Sequence, residues 1–161
     1  MRRFRLLTVF AIGLASSSCG SSGTSTFDPN LSVLLTNGTF KATINGAAWS
    51  PIGTVIVSRV GGGLTMAATS TTYAMSVVVL NVSGPGTFTL NASVHNGSHI
   101  AVSSAGQSGW ETGNTGGTGT VVVTTLTANH VTGTFSCDAP PNGTSTAAAL
   151  HVTSGTFDLS F

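Results

Sequence analysis

The chain is short of charge, cysteine, aromatic residues and helix-forming side chains, and each shortage closes off a class of protein. Only 6% of its 161 residues are charged, five basic and four acidic. Three of the basic residues, Arg2, Arg3 and Arg5, stand at the N-terminus. Beyond them Lys41 and Arg59 face Asp28, Glu111, Asp138 and Asp158, a net charge of −2. Two cations make no electrostatic footprint for nucleic acid and no polybasic patch for anionic lipid. With only Cys19 and Cys137 there is no disulfide framework. Four carboxylates leave little for paired-acid glycosidase chemistry, and Gly106-Gln107-Ser108-Gly109 has the wrong spacing for a nucleophile elbow. One Tyr and two Trp provide no aromatic girdle for a membrane barrel.

What the chain does have begins at its N-terminus. The three arginines precede an apolar stretch from Leu6 to Ile12, then Gly13 to Ala15, three serines and Cys19. This is the layout of an export signal, too short for a bilayer span. Cys19 is the candidate lipid anchor, although Ser16 holds the position where a lipoprotein signal normally has Leu, so free secretion by cleavage among Ala15 to Ser18 is the alternative. Gly20 lacks the Asp that retains lipoproteins at the inner membrane, which favours the outer one. Residues 20–26 are Gly, Ser and Thr alone, and 20–35 reads as a flexible tether. Residues 1–19 are then the signal segment, and 36–161 one all-β domain, long enough for one core.

Within that domain Gly-Thr-Phe occurs four times, at Gly38, Gly86, Gly133 and Gly155, each opening an alternation of period two. Phe40, Ala42 and Ile44 oppose Thr39, Lys41 and Thr43. Phe88 and Leu90 oppose Thr87 and Thr89. Phe135 and Cys137 oppose Thr134 and Ser136, and Phe157 and Leu159 oppose Thr156 and Asp158. Half-buried antiparallel strands follow, with each Phe inward and each Gly freeing a turn exit. Asn45-Gly46 predicts a two-residue hairpin that pairs Ile44 with Ala47 and Ala42 with Trp49. Gly61 to Gly63 separates two further runs. Met75 to Leu80 and Val121 to Leu126 each precede a Gly-Thr-Phe strand, as if to pair with it. Leu150 and Val152 differ in parity from Phe157 and Leu159, which requires a bulge near Ser154-Gly155. The expected fold is an antiparallel β-sandwich of roughly nine to eleven short strands, with a flattened barrel as alternative.

Phe40 to Trp49, Gly117 to Leu126, Val131 to Ser136 and Gly155 to Phe161 together resemble a family of small exported bacterial proteins, often lipoproteins, known as a domain of unknown function. The resemblance covers most of the chain after the tether. It departs at Cys137, where an aromatic or other apolar residue is more typical. It implies an exported address and an all-β fold, and brings no catalytic residues.

Among side chains with chemistry, His95 and His99 flank Asn96-Gly97-Ser98 and are weak candidates for a metal, since two imidazoles without a third ligand hold zinc poorly. His130 and His151 are expected outward. Cys137 has inward parity, which suits a small buried thiol better than a nucleophile. Trp110 beside Glu111, with Tyr73, is the speculative ligand site, because an exposed ring next to an acid suits a sugar. Terminal Phe161 behind Leu159 also resembles the end of an outer-membrane barrel strand, a reading that the short strands disfavour. The leading expectation is a non-enzymatic cell-envelope lipoprotein, periplasmic or surface-facing, with a binding or structural role and no cofactor. Its partners would be the membrane, through Cys19, and carbohydrate or an envelope protein. A polysaccharide-binding module is the alternative, and a hydrolase lacks a constellation.

Overall fold

The computed structural model describes residues 32–36, 38–93, 97–104, 109–113, 116–143 and 146–161. Among the described residues twelve strands make two six-stranded antiparallel sheets. The first sheet holds β1 (Ser32–Thr36), β4 (Val55–Val60), β5 (Gly63–Thr69), β6 (Tyr73–Val79), β8 (His99–Ser104) and β9 (Trp110–Thr112), side by side in that order. The second runs β3 (Ala47–Trp49), β2 (Thr39–Ile44), β12 (Leu150–Ser160), β11 (His130–Ala139), β10 (Thr118–Leu126), β7 (Gly86–Asn91). Each sheet ends in edge strands rather than closing, so the fold is a sandwich, and neither the flattened barrel nor an outer-membrane barrel is formed. Phe161 packs half-buried against the core. The count exceeds the expected range partly because β3 and β9 have three residues each, too few to show a period. The first strand begins at Ser32, within the stretch expected to be tether.

Alternation decides which residues lie between the sheets. Phe40, Ala42 and Ile44 of β2, Val55 and Val57 of β4, Leu64 and Met66 of β5, and Val121 and Val123 of β10 are all buried. Trp49, Phe40, Phe135 and Phe157 form a chain of rings, with successive centroids 5.6, 5.4 and 6.4 Å apart. Such contacts contribute about 0.5–1.5 kcal/mol per pair beyond burial. Phe88 is half-buried, because β7 is an edge strand with no neighbour beyond it among the described residues.

The Asn45-Gly46 hairpin forms with the expected register, both residues at positive φ (47° and 82°), as a type I′ turn requires. The expected bulge is present too. Ser154 has φ 51°, and the register of β12 shifts there against both neighbours, carrying Phe157 and Leu159 onto the face that Leu150 and Val152 occupy.

Two expectations are corrected. Met75 to Leu80 does not pair with the strand that follows. The chain instead crosses from β6 in one sheet to β7 in the other, with Asn81 left-handed (φ 60°), Val82 buried and its N–H donating to the Gly62 carbonyl at 2.7 Å. Pro85, without an N–H, stands just before β7. Nor do Gly133 and Gly155 free a turn. They sit inside β11 and β12, where Gly133 lies opposite Phe157 and Phe135 opposite Gly155. Each ring lies across the bare backbone of its partner glycine, so that a Cβ at Gly155 would stand 2.6 Å from Cδ2 of Phe135. The two motifs are antiparallel halves of one reciprocal packing unit.

Candidate functional site

Cys19 and residues 20–31 lie outside the described residues, as does His95. His99 opens β8 with its Nδ1 3.0 Å from the Gly97 carbonyl oxygen. No group of three or more His, Cys, Asp or Glu that could hold a metal occurs among the described residues.

The expected trio of Trp110, Glu111 and Tyr73 is only partly assembled. Neighbours along a strand point to opposite faces, and β9 accordingly sends Trp110 inward and Glu111 outward. Trp110 is 7% exposed, its indole N–H donates to the Ala148 carbonyl at 2.9 Å, and its ring meets Tyr73 edge-on at 6.4 Å. It is therefore a core residue whose small exposed part borders a groove on the first sheet, and the exposed aromatic-acid pair expected from sequence does not form. Glu111 stands opposite Ala101 on the outer side of the first sheet. Tyr73 spends its carbonyl on the Trp49 indole N–H (3.3 Å) and the Ser70 hydroxyl (3.1 Å).

Ionisable side chains meet instead on the outer side of the second sheet, as two His–Asp pairs that sequence reading missed. Asp138 and His151 are direct cross-strand partners of β11 and β12, with Nδ1 and Oδ1 2.5 Å apart. His130 Nε2 lies 2.8 Å from Asp158 Oδ1 at the other end of the same strands. Both pairs are well exposed, so each adds little to stability. Seven residues of β11 lie between His130 and Asp138, roughly 25 Å along a strand. Part of the signal was present, since His130, His151 and Asp158 have outward parity in the sequence, but Asp138 was not read in this way and joining the four required the β11–β12 register. Cys137, beside Asp138 on the inward side, is buried, and desolvation followed by the nearby Asp138 charge pushes its pKa up to about 12. The thiol stays protonated and is no nucleophile at ordinary pH.

The two outer faces differ in chemistry. On the second sheet a shallow groove of about 320 Å³ is lined by hydroxyls and amides, among them Thr89, Asn91, Thr118, Ser136 and Thr153, with Asp138 at one end. A second, more apolar groove of about 310 Å³ shares Thr120 and Ser136 with it and runs on past Val122 and Phe135 to Thr134 and Thr156. On the first sheet a groove of about 300 Å³ lies over small residues, including Ala67, Ala74, Ser76 and Ala101 beside Ile56.

The model of a family described as a domain of unknown function (DUF6252) matches residues 36–158. No curated protein and no solved structure matches the chain.

Proposed function

The chain belongs to the DUF6252 family, and from that premise we propose that it is an exported envelope lipoprotein, anchored through Cys19, whose sandwich has a non-enzymatic binding role. The observation that carries the binding role is the distribution of ionisable groups. Among the described residues four of the six Asp, Glu and His side chains gather as two surface His–Asp pairs roughly 25 Å apart, while Glu111 and His99 belong to the other sheet and the Cys137 thiol is held protonated. Hydrolysis needs a nucleophile, a base and an oxyanion-stabilising group converging on one point, and this distribution gives them no such point. Two measurements test the reading. Metabolic labelling with an alkyne fatty acid should mark the wild-type chain and not Cys19→Ala; equal labelling, or none in either, removes the anchor. Fractionation with protease shaving then reports which side of the envelope the body faces.

A second reading, a polysaccharide-binding module, is favoured by the hydroxyl-lined groove of the second sheet that runs from Thr89 to Thr153 rather than by the buried Trp110. Side chains that both donate and accept hydrogen bonds, with a single carboxylate, Asp138, at the end of the row, match a glycan. The double variant Thr120→Val/Ser136→Ala, altering the two residues common to both grooves, should abolish retention on whichever immobilised bacterial or plant polysaccharide holds the wild type. Retention unaffected by that variant sinks this reading.

A further inference from the structure

The exposed large hydrophobic residues among those described are Ile52, Ile56 and Val60, at 64%, 42% and 43% exposure. All three belong to one strand or its approach. Ile56 and Val60 share the outer parity of β4, and Ile52 lies in the connection leading into it. Scattered singly they would need no explanation, but they adjoin an outer face that carries almost no charge. Across the first sheet the row through Ile56 continues as Ala67, Ser76 and Ala101 before it reaches Glu111 at the far edge. The next row runs from Ser58 through Thr65 and Val78 to His99. Lys41, Asp138, Asp158, His130 and His151 all lie on the second sheet. Arg59, on β4, is turned to the end of the sandwich, where it donates to the Thr127 carbonyl.

The position of this face relative to the chain's start gives it an occupant. Strand β1 pairs with β4 along its whole length, from Ser32 opposite Arg59 to Thr36 opposite Val55. Twelve residues separate Cys19 from Ser32, a link that spans at most about 45 Å even fully extended. A body held at that range by its β1 edge brings the strand beside it, β4, repeatedly to the bilayer.

We propose that the outer face of the first sheet, centred on Ile56 and Val60 of β4, rests on the lipid surface beside the anchor and leaves the hydroxyl-lined second sheet facing away. This rests on the lipoprotein reading above. The contact is apolar insertion into the headgroup region rather than charge attraction, so it responds to loss of side-chain area and not to salt.

The test separates the contact from the question of whether cells acylate Cys19. The chain from Cys19 onward is coupled through that thiol to a maleimide phospholipid, the buried Cys137 being spared. It is then placed in phosphatidylethanolamine–phosphatidylglycerol vesicles containing a phospholipid with a diazirine in its acyl chain. Photolysis followed by peptide mapping should place at least five times more lipid adducts on residues 52–60 than on residues 118–136. The yield should be unchanged between 0.05 and 0.5 M salt, and should fall at least threefold in Ile56→Ser/Val60→Ser. Those two side chains are exposed, so the double variant should keep the wild-type urea midpoint. Adducts spread evenly over both faces, a yield indifferent to the double variant, or cross-links between first-sheet faces of two copies in place of lipid adducts would each overturn the proposal. Failure of fatty-acid labelling at Cys19 in cells would instead remove the natural anchor, which the labelling experiment reads separately.

Discussion

Replacing Gly133 with alanine should destabilise the protein far more than one methyl group ordinarily does. A Cβ at that position would overlap the Val122 carbonyl oxygen of β10 and the ring of Phe157, standing 2.9 Å from its Cε2, where carbon atoms prefer about 3.5–4.0 Å. Overpacking a core usually costs about 1–3 kcal/mol. Here one of the obstructing atoms is main chain in a paired strand and cannot swing aside, so the cost belongs at the upper end. Lower backbone entropy of alanine in the unfolded chain returns about 0.4–1 kcal/mol. The net expectation is a loss of about 2–3 kcal/mol, or a fall in Tm of about 10 °C for a domain of this size. Urea unfolding followed by circular dichroism measures it, with Gly84→Ala as control. A Cβ at Gly84 meets nothing within 4 Å, so that variant should match the wild type or gain up to about 1 kcal/mol. In a Phe157→Ala background the Gly133→Ala penalty should shrink by about 1 kcal/mol, because one of the two obstructions is gone. If Gly133→Ala and Gly84→Ala unfold at the same urea concentration, the glycine is not there to admit the ring, and the account of the repeated motif fails.

Other outcomes follow from single side chains. Burial pushes the Cys137 thiol from its ordinary value of 9.0 up to about 12, so between those limits the unfolded chain gives up a proton that the folded chain keeps. Stability should therefore fall as pH rises above 9, by about 1.4 kcal/mol per unit from this group, and Cys137→Ala should show a correspondingly flatter alkaline limb in urea titrations. An identical slope in both proteins would contradict the burial of the thiol. Thr112 is fully buried, and its Oγ1 has no hydrogen-bond partner among the described residues. Thr112→Val should accordingly be neutral or stabilising by up to about 1 kcal/mol, as read from Tm. His151→Ala should leave the urea midpoint at pH 7 unchanged within error, because its partnership with Asp138 is exposed to solvent; a marked drop would give that pair a structural role.

Much of the fold was legible because period-two alternation depends only on which side of a strand meets the core. That rule placed Phe40, Phe135, Phe157, Trp49 and Cys137 inside, and the parity change between Val152 and Phe157 located the bulge at Ser154. Connections were less legible. A short polar link between two runs serves a hairpin or a crossover equally well, and only pairing across the sheet sends β7 to β10 instead of β6. The candidate site suffered from the same limit. Outward parity identified His130, His151 and Asp158 one by one and left Asp138 unread, and which of them meet depends on register between β11 and β12. Trp110 was misplaced because β9 is three residues long, too short for alternation to show that its indole faces in and its neighbouring carboxylate out.

Strands written in threonine, serine, valine and glycine slide easily, since a ladder displaced by two residues looks much like the one it left, and glycine-rich strands specify alignment weakly. Opposing a bulky ring to an empty notch twice over, in opposite senses, removes that ambiguity between β11 and β12. A displaced alignment would drive a phenyl group into a branched side chain and leave a hollow where its proper seat had been. So monotonous an alphabet can therefore still spell one structure, and the few letters that break the monotony are the ones that keep the chain from settling into a neighbouring misalignment.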